Sequence, residues 1–132
     1  MSKKYRHSKG KRVYYFYHGR QEMLSGTIYR HYTELAGEMY LITPDNVTKA
    51  EIKNNERVKI FRKKVFGEIY KEPVTHVIDI EYIRTHTQKG LQSLKKEAKS
   101  FLERVYRDDF RHFLSREENY KKTIKDIEGY NE

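Results

Sequence analysis

Short runs of β-branched and aromatic residues, separated by turn residues, dominate the first third of the chain. Strands are predicted for three such runs: 13–17 (VYYFY), 23–32 (MLSGTIYRHY) and 37–43 (GEMYLIT). Gly19 lies in the predicted turn between the first two runs, and Gly26 predicts a bulge or sharp bend within the second. Pro44 ends the third run. The pattern is typical of antiparallel strands joined by short turns.

The next part of the chain does not keep a single period. Thr48 and Glu51 have the spacing of a capping box, which predicts one or two helical turns within residues 46–56. Residues 57–70 (RVKIFRKKVFGEIY) alternate imperfectly, and we interpret them as a strand with a bulge or a hairpin at its centre. Residues 74–83 (VTHVIDIEYI) predict a last strand, and one of its faces carries His76, Ile78, Ile80 and Tyr82.

After Thr87 the period of the apolar residues changes from two to 3.6. This spacing predicts an amphipathic helix over residues 88–114. Its apolar stripe consists of Leu91, Leu94, Ala98, Phe101, Leu102 and Val105. Beyond Val105 the stripe drifts around the helix, so we expect this end to pack on the last helix or on another subunit.

A second helix is predicted near the C-terminus. Ser115 and Glu118 have the spacing of a capping box, which places the start of this helix at Arg116. Gly129 is expected to end it. Its apolar content is low, so the helix needs a packing partner to be stable.

These elements predict an α+β protein. We expect a flexible basic arm (1–12), a small curled antiparallel β-sheet or five-stranded small barrel (13–84), and a helical hairpin packed on it (85–132). The runs YYFYHG, SGTIYRHY, GEMYLIT and HVIDIEYI resemble the strands of small barrels of the Sm-like or Src-homology-like type. The resemblance covers about half of the chain, and it implies a scaffold rather than an activity, because such barrels bind RNA, DNA, peptides or each other.

Positive charge is concentrated at the N-terminus. The chain has 132 residues, with 28 Lys and Arg against 19 Asp and Glu, and a formal net charge of +9. Residues 1–12 contribute +6, residues 13–83 are neutral, and residues 84–132 contribute +3. Basic arms commonly follow phosphate backbones, where they displace counterions. A solubilising N-terminal segment is the alternative.

Several classes of function are disfavoured. The chain has no Cys and no apolar run long enough to cross a membrane, and its basic N-terminus lacks the apolar stretch of a secretory signal. Its six His residues lack metal-ligand spacing, and it has neither a nucleophile elbow nor a phosphate-binding glycine loop. Twelve Tyr and six Phe argue for an aromatic core rather than disorder. We therefore expect a cytoplasmic protein that is not an enzyme and uses neither a cofactor nor a metal.

Basic and aromatic residues supply the candidate contacts. Cations of the arm are the first group: Lys3, Lys4, Arg6, Lys9, Lys11 and Arg12. The second group, Arg62, Lys63 and Lys64, lies between Phe61 and Phe66, and the third is formed by Arg104, Arg107 and Arg111 on one face of the long helix. Candidates for base stacking are Tyr14, Phe16, Tyr29, Tyr32 and Tyr40, although most aromatic residues should lie in the core.

The function that the sequence favours is non-catalytic nucleic-acid binding by an accessory or regulatory protein of a bacterium or phage. RNA and DNA are equally compatible with the residues. The alternative is a small phage-type interaction protein that inhibits a host factor or sequesters a nucleotide signal, working as a homo-oligomer through its C-terminal helices. The neutral charge of residues 13–83 favours that alternative, because a region that tracks nucleic acid is normally basic. No membrane partner is expected.

Overall fold

Five strands and three helices make up the part of the chain that the computed structural model describes, namely residues 6–35, 37–108 and 113–131. The strands are β1 (Arg12–Tyr17), β2 (Glu22–Glu34), β3 (Gly37–Pro44), β4 (His76–Asp79) and β5 (Ile83–Thr85). The helices are α1 (Lys49–Phe66), α2 (Gln88–Asp108) and α3 (Phe113–Gly129). One turn of 3-10 helix, Ile80–Tyr82, joins β4 to β5.

All five strands form one antiparallel sheet in the order β4-β3-β2-β1-β5. The predicted α+β class, curled antiparallel sheet and C-terminal helices are confirmed, and the sheet is not closed into a barrel. The run from β4 to β5 crosses from one edge of the sheet to the other. Its curl brings β1 close to β4, so that the hydroxyl of Tyr15 lies 2.8 Å from Nδ1 of His76.

The centre of the core is β1, which pairs with β2 on one side and β5 on the other. Four successive residues of this strand, Val13 to Phe16, are buried, so both of its faces are covered. Helix α2 packs its apolar stripe on the sheet, and α3 adds Ile127. Burial of each large apolar side chain contributes about 1.5–3 kcal/mol. The buried side chains of α2 are Leu91, Leu94, Ala98 and Leu102.

The main correction concerns residues 57–70, which were expected to form a strand or hairpin. They are helical as far as Phe66, and they continue the helix that starts at Lys49. Thr48 and Glu51 form the predicted capping box, and Gly67 ends the helix in the left-handed conformation at φ 67°. No residue of α1 is buried. The imperfect alternation was therefore misleading, because this segment has no sheet face to fill.

The predicted last strand, residues 74–83, is divided in the structure. Asp79 ends β4 and accepts a hydrogen bond from the backbone N–H of Glu81 at 2.9 Å, which starts the 3-10 turn. His76, Ile78 and Tyr82 are buried, as their common face predicted. The five strands therefore include two from this segment and none from residues 57–70.

The boundaries of the C-terminal helices also differ from those expected. Helix α2 is described as far as Asp108, and α3 is already under way at Phe113, before the expected start at Arg116. The predicted end at Gly129 is confirmed. The rings of Tyr106 and Tyr120 lie 4.8 Å apart. The drifting apolar stripe of α2 thus meets the last helix, which was one of the two expected partners.

Residues 6–11 of the expected arm lie against the sheet. Gly10 donates to the carbonyl of Ile28 at 2.8 Å, and Ile28 donates to the carbonyl of Lys11 at 3.0 Å. His7 is buried against the ring of Tyr40, and burial lowers the pKa of His7 to about 4. This imidazole is therefore neutral at pH 7. Residues 1–5, which include Lys3 and Lys4, lie outside the described residues.

Gly26 is required by a close approach between β2 and β3. A Cβ atom at this position would lie 2.4 Å from the carbonyl oxygen of Thr43. The bulge predicted here occurs at Tyr29 instead, where the register shifts between Ile28 and Arg30. Gly26 therefore permits the close approach of β2 and β3 and does not mark a bend.

We expect Gly26→Ala to destabilise the protein by about 2 kcal/mol, because backbone atoms of β3 must move to admit the methyl group. The free energy of unfolding by urea measures the effect. Gly129→Ala is the matched control, since nothing lies within 4 Å of the added methyl group. Equal stability of the two variants would contradict this account of Gly26.

Candidate nucleic-acid interface

Helix α1 separates the charges of the central region. It carries seven Lys and Arg against two Glu, a net charge of +5. The rest of residues 13–83 holds three basic and eight acidic residues, a net charge of −5. The neutral total of this region therefore hides a basic helix and an acidic remainder.

Three arginines of β1, β2 and the turn between them differ from most cations of α1, because they have carboxylate partners. Arg12 forms two hydrogen bonds with Asp45, one of them 2.7 Å long. Arg20 lies 3.2 Å from Glu51, and Arg30 lies 2.8 Å from Glu72. These three guanidinium groups are neutralised within the protein.

On α1 only two cations have a carboxylate partner among the described residues. They are Lys59, which pairs with Glu56, and Arg62, which lies 3.4 Å from Glu68. The remaining cations form no ion pair with a described residue, so they are available to an external anion. They are Lys49, Lys53, Arg57, Lys63 and Lys64.

Four of these cations share one side of the helix. At about 100° per residue, Lys49, Lys53, Arg57 and Lys64 fall within a sector of about 80°. We call this set the cationic stripe. The residues that contact the rest of the protein, Glu51 and Asn55 among them, lie on the opposite side. The cationic stripe therefore faces away from the sheet.

A buried polar contact holds the start of α1 on the sheet. His76 lies between the hydroxyl of Tyr15, at 2.8 Å from Nδ1, and the carboxylate of Glu51, at 2.5 Å from Nε2. The ring of Tyr17 stacks on the imidazole with a centroid distance of 3.9 Å. In the neutral ring, Nε2 donates to Glu51 and Nδ1 accepts from Tyr15. We call this arrangement the His76 bridge.

The surroundings of the His76 bridge determine the ionisation of Glu51 and Tyr15. Burial alone would raise the pKa of Glu51, but hydrogen bonds from the Thr48 backbone and from His76 hold this pKa at about 2. Burial raises the pKa of Tyr15, which stays protonated. Glu51 is therefore an anion at neutral pH. It binds the cap, the imidazole and Arg20 at the same time.

Exposed apolar side chains are also concentrated around α1. Among the described residues nine large apolar side chains are exposed, and eight of them belong to residues 47–77. Phe61 and Phe66 are 58% and 62% exposed, with their ring centroids 6.2 Å apart. The same helix therefore presents aromatic rings next to its free cations. The eight residues are Val47, Ile52, Ile60, Phe61, Val65, Phe66, Ile69 and Val77.

The candidate cations of the arm have varied surroundings. Arg6 is exposed, and Lys9 lies 5.7 Å from the ring centroid of Tyr29. Lys11 approaches Nδ1 of His7 at 3.2 Å. Among the described cations of the arm, Lys9, Lys11 and Arg12 therefore already contact groups of the protein itself.

The candidate cations of the long helix are not brought together with those of α1 by any described contact. Arg107 lies 3.3 Å from Glu103, one turn earlier on the same helix. Burial raises the pKa of Tyr82, and the positive charge of Arg104 near its hydroxyl opposes that effect. Arg111 lies outside the described residues.

Most of the stacking candidates are core residues. Phe16 and Tyr40 are completely buried, and Tyr14 is stacked on His86 with a centroid distance of 4.1 Å. These three rings have no free face for a base. Tyr29 and Tyr32 are partly exposed, and the hydroxyl of Tyr29 donates to Glu72 at 2.6 Å.

The sequence-based interpretation missed part of this helix. Lys49, Lys53 and Arg57 are absent from the predicted contacts, because the sequence predicts only one or two helical turns before residue 57 and a strand after it, so these cations do not share a predicted surface. The signal that could have identified them is the capping box at Thr48, followed by a helix-terminating glycine at position 67.

Comparison with family models, with curated proteins and with solved structures gives no match. Among the described residues no helix is long and apolar enough to cross a membrane. The same residues contain no group of three or more His, Asp or Glu side chains that could hold a metal ion.

We expect Glu51→Ala to release the start of α1, because it removes the acceptor for His76, Arg20 and the Thr48 backbone. The free energy of unfolding should fall by about 2 kcal/mol. The substitution should also accelerate the exchange of amide protons more in α1 than in β1. Hydrogen–deuterium exchange read by mass spectrometry measures both. Glu56→Ala is the control, since Lys59 is the one ion-pair partner that Glu56 has among the described residues. Similar exchange of α1 in the two variants would contradict the role of the bridge.

The lowered pKa of Glu51 predicts that the stability of the protein depends on pH. The pKa of Glu51 is about 2 in the folded protein against an ordinary value of 4.5, so its stabilising effect is complete above pH 4.5. That effect is lost as the pH falls from 4.5 towards 2, because the unfolded chain binds the proton first. The melting temperature should fall more steeply in this interval for the wild type than for Glu51→Ala. Parallel curves would exclude this assignment.

Proposed function

We propose that this protein is a non-catalytic nucleic-acid-binding accessory or regulatory protein, of the kind that bacteria and phages use, and that α1 is its main contact with phosphate. The observation that carries the proposal is the set of five cations on α1 that have no carboxylate partner among the described residues. Lys and Arg side chains that neutralise phosphates release condensed counterions, which favours binding.

The direction of α1 supports this assignment. The cationic stripe points away from the sheet, so its charges are directed to solvent rather than to carboxylates of the protein. The contact with nucleic acid is therefore assigned to this helix, together with the basic residues at the N-terminus. Exposed Phe61 and Phe66 add aromatic faces on which bases stack.

The salt dependence of binding tests the proposal. Replacing Lys53, Arg57, Lys63 and Lys64 by Gln keeps helix propensity and removes four charges. Affinity for a fluorescent oligonucleotide should fall at least about tenfold, and the slope of log K against log salt should fall by roughly three. Fluorescence anisotropy at several salt concentrations gives both quantities.

The matched control removes four exposed cations from α2 and α3. These are Lys89, Lys96, Lys122 and Lys125. If both quadruple variants lose the same affinity, general charge rather than α1 is responsible. Affinity of the wild type that is independent of salt would refute nucleic-acid binding through phosphate.

A second candidate function, a non-enzymatic interaction protein, is favoured by the exposed apolar side chains of residues 47–77. Such a protein would bind a host factor or a second copy of itself. Leu94 and Leu102 of α2 are buried within one chain, so self-association would use α1 rather than the C-terminal helices. Light scattering would then show an oligomer that Ile60→Ser and Ile69→Ser dissociate, whereas the Gln substitutions would leave its mass unchanged.

A further inference from the structure

We infer that a cleft at the foot of α1 binds one unpaired nucleotide, with its base in the cleft and its phosphate on Arg62. The cleft has a volume of about 280 Å³ and lies between α1 and residues 70–76. This inference rests on the proposed function, because it assigns a nucleotide subsite to the same helix, on the side that faces the sheet. The volume is at the lower end of the range for small-ligand pockets, so it suits one base rather than a run of them.

Two side-chain amides give the cleft its hydrogen-bonding capacity. Asn54 is exposed, and its side chain forms no hydrogen bond with a described residue. Asn55 donates from Nδ2 to the carbonyl of Glu72 at 3.3 Å, which leaves its Oδ1 as an acceptor. An amide offers a donor and an acceptor side by side, and the edges of nucleobases offer the complementary pair.

The walls of the cleft suit a flat ring. Val58 and Pro73 contribute apolar surface, and Tyr70 contributes a partly exposed aromatic ring. Glu51 also borders the cleft, but His76, Arg20 and the Thr48 backbone already engage its carboxylate. The cleft therefore favours a neutral polar ring over a cationic ligand.

Arg62 stands at the rim as the contact for phosphate. Its guanidinium lies 5.0 Å from the ring centroid of Tyr70, one turn of α1 beyond Val58. Its only ion pair with a described residue is the 3.4 Å contact with Glu68, and these side chains are 47% and 57% exposed. Exposed pairs of this kind are weak, so a phosphate can replace the carboxylate.

The geometry requires an unpaired base. A base within a duplex cannot leave its stack to enter a cleft without the cost of unpairing, whereas a base in a single strand can. Lys63 and Lys64 follow Arg62 in the last turn of α1, so a strand that leaves the cleft and passes around this end of the helix would bring its neighbouring phosphates to them. A free nucleotide offers the same base and phosphate chemistry, and the experiment distinguishes these two sources.

The test compares Asn54→Ala with Asn46→Ala, a matched change at an exposed asparagine outside the cleft. The probes are short single strands of A, C or U, a duplex of mixed sequence, and the free mononucleotides AMP, CMP and UMP. Asn54→Ala should lower affinity for the preferred single strand by about five- to tenfold. It should not change the salt slope or the affinity for duplex, because no charge is removed.

The outcomes separate this inference from the proposed function. If Asn54→Ala binds every strand as Asn46→Ala does, while the Gln variant of α1 still loses affinity, the cleft is not a base site and the proposed function stands. If mononucleotides bind in an Asn54-dependent way and strands show no salt-dependent binding, the nucleotide site stands and nucleic-acid binding falls. Absence of binding by every probe overturns both.

Discussion

The buried imidazole of His76 connects the two parts of this molecule. It belongs to β4, receives the hydroxyl of Tyr15 from β1, and donates to Glu51 on α1. An imidazole buried at this depth needs partners for both nitrogens, since an unsatisfied buried polar group costs about 1–3 kcal/mol. The curl of the sheet supplies one partner and the first turn of α1 supplies the other. The direction of α1, and with it the position of every cation on that helix, follows from this requirement.

This arrangement explains how a central region with no net charge can still present a basic surface. Arg12 of β1, Arg30 of β2 and Arg20 in the turn between them are neutralised by carboxylates that lie close to them. Helix α1 keeps five cations without such partners among the described residues. The net charge of residues 13–83 combines these two groups of charges and so conceals the basic surface of α1. Opposite charges act separately when they lie on different surfaces.

The first three strands were predictable from sequence because each is a run of β-branched and aromatic residues bounded by turn residues. β1, β2 and β3 have buried faces, and the expected strands agree with them to within about two residues. Helix α1 was assigned wrongly because none of its residues is buried, so its hydrophobic pattern carries no information about a core. Its ends were nevertheless encoded, by Thr48 with Glu51 and by Gly67. Of the candidate site, Arg62, Lys63 and Lys64 were selected from composition, whereas the His76 bridge joins residues that are 61 and 25 positions apart and could not be seen without the fold.

A helix of 18 residues without a buried side chain is only marginally stable by itself in water. The capping box, the terminal glycine and the His76 bridge stabilise its ends, but no packing on the sheet stabilises its outer face. Such a helix gains most from a ligand, because binding adds a stabilising free energy that the folded protein lacks alone. The exposed aromatic rings and free cations of α1 are costly features in a helix that serves only its own sheet. Such rings and cations are expected in a helix that also contacts a nucleic acid. We therefore propose that α1, rather than the buried aromatic residues of the sheet, carries the function.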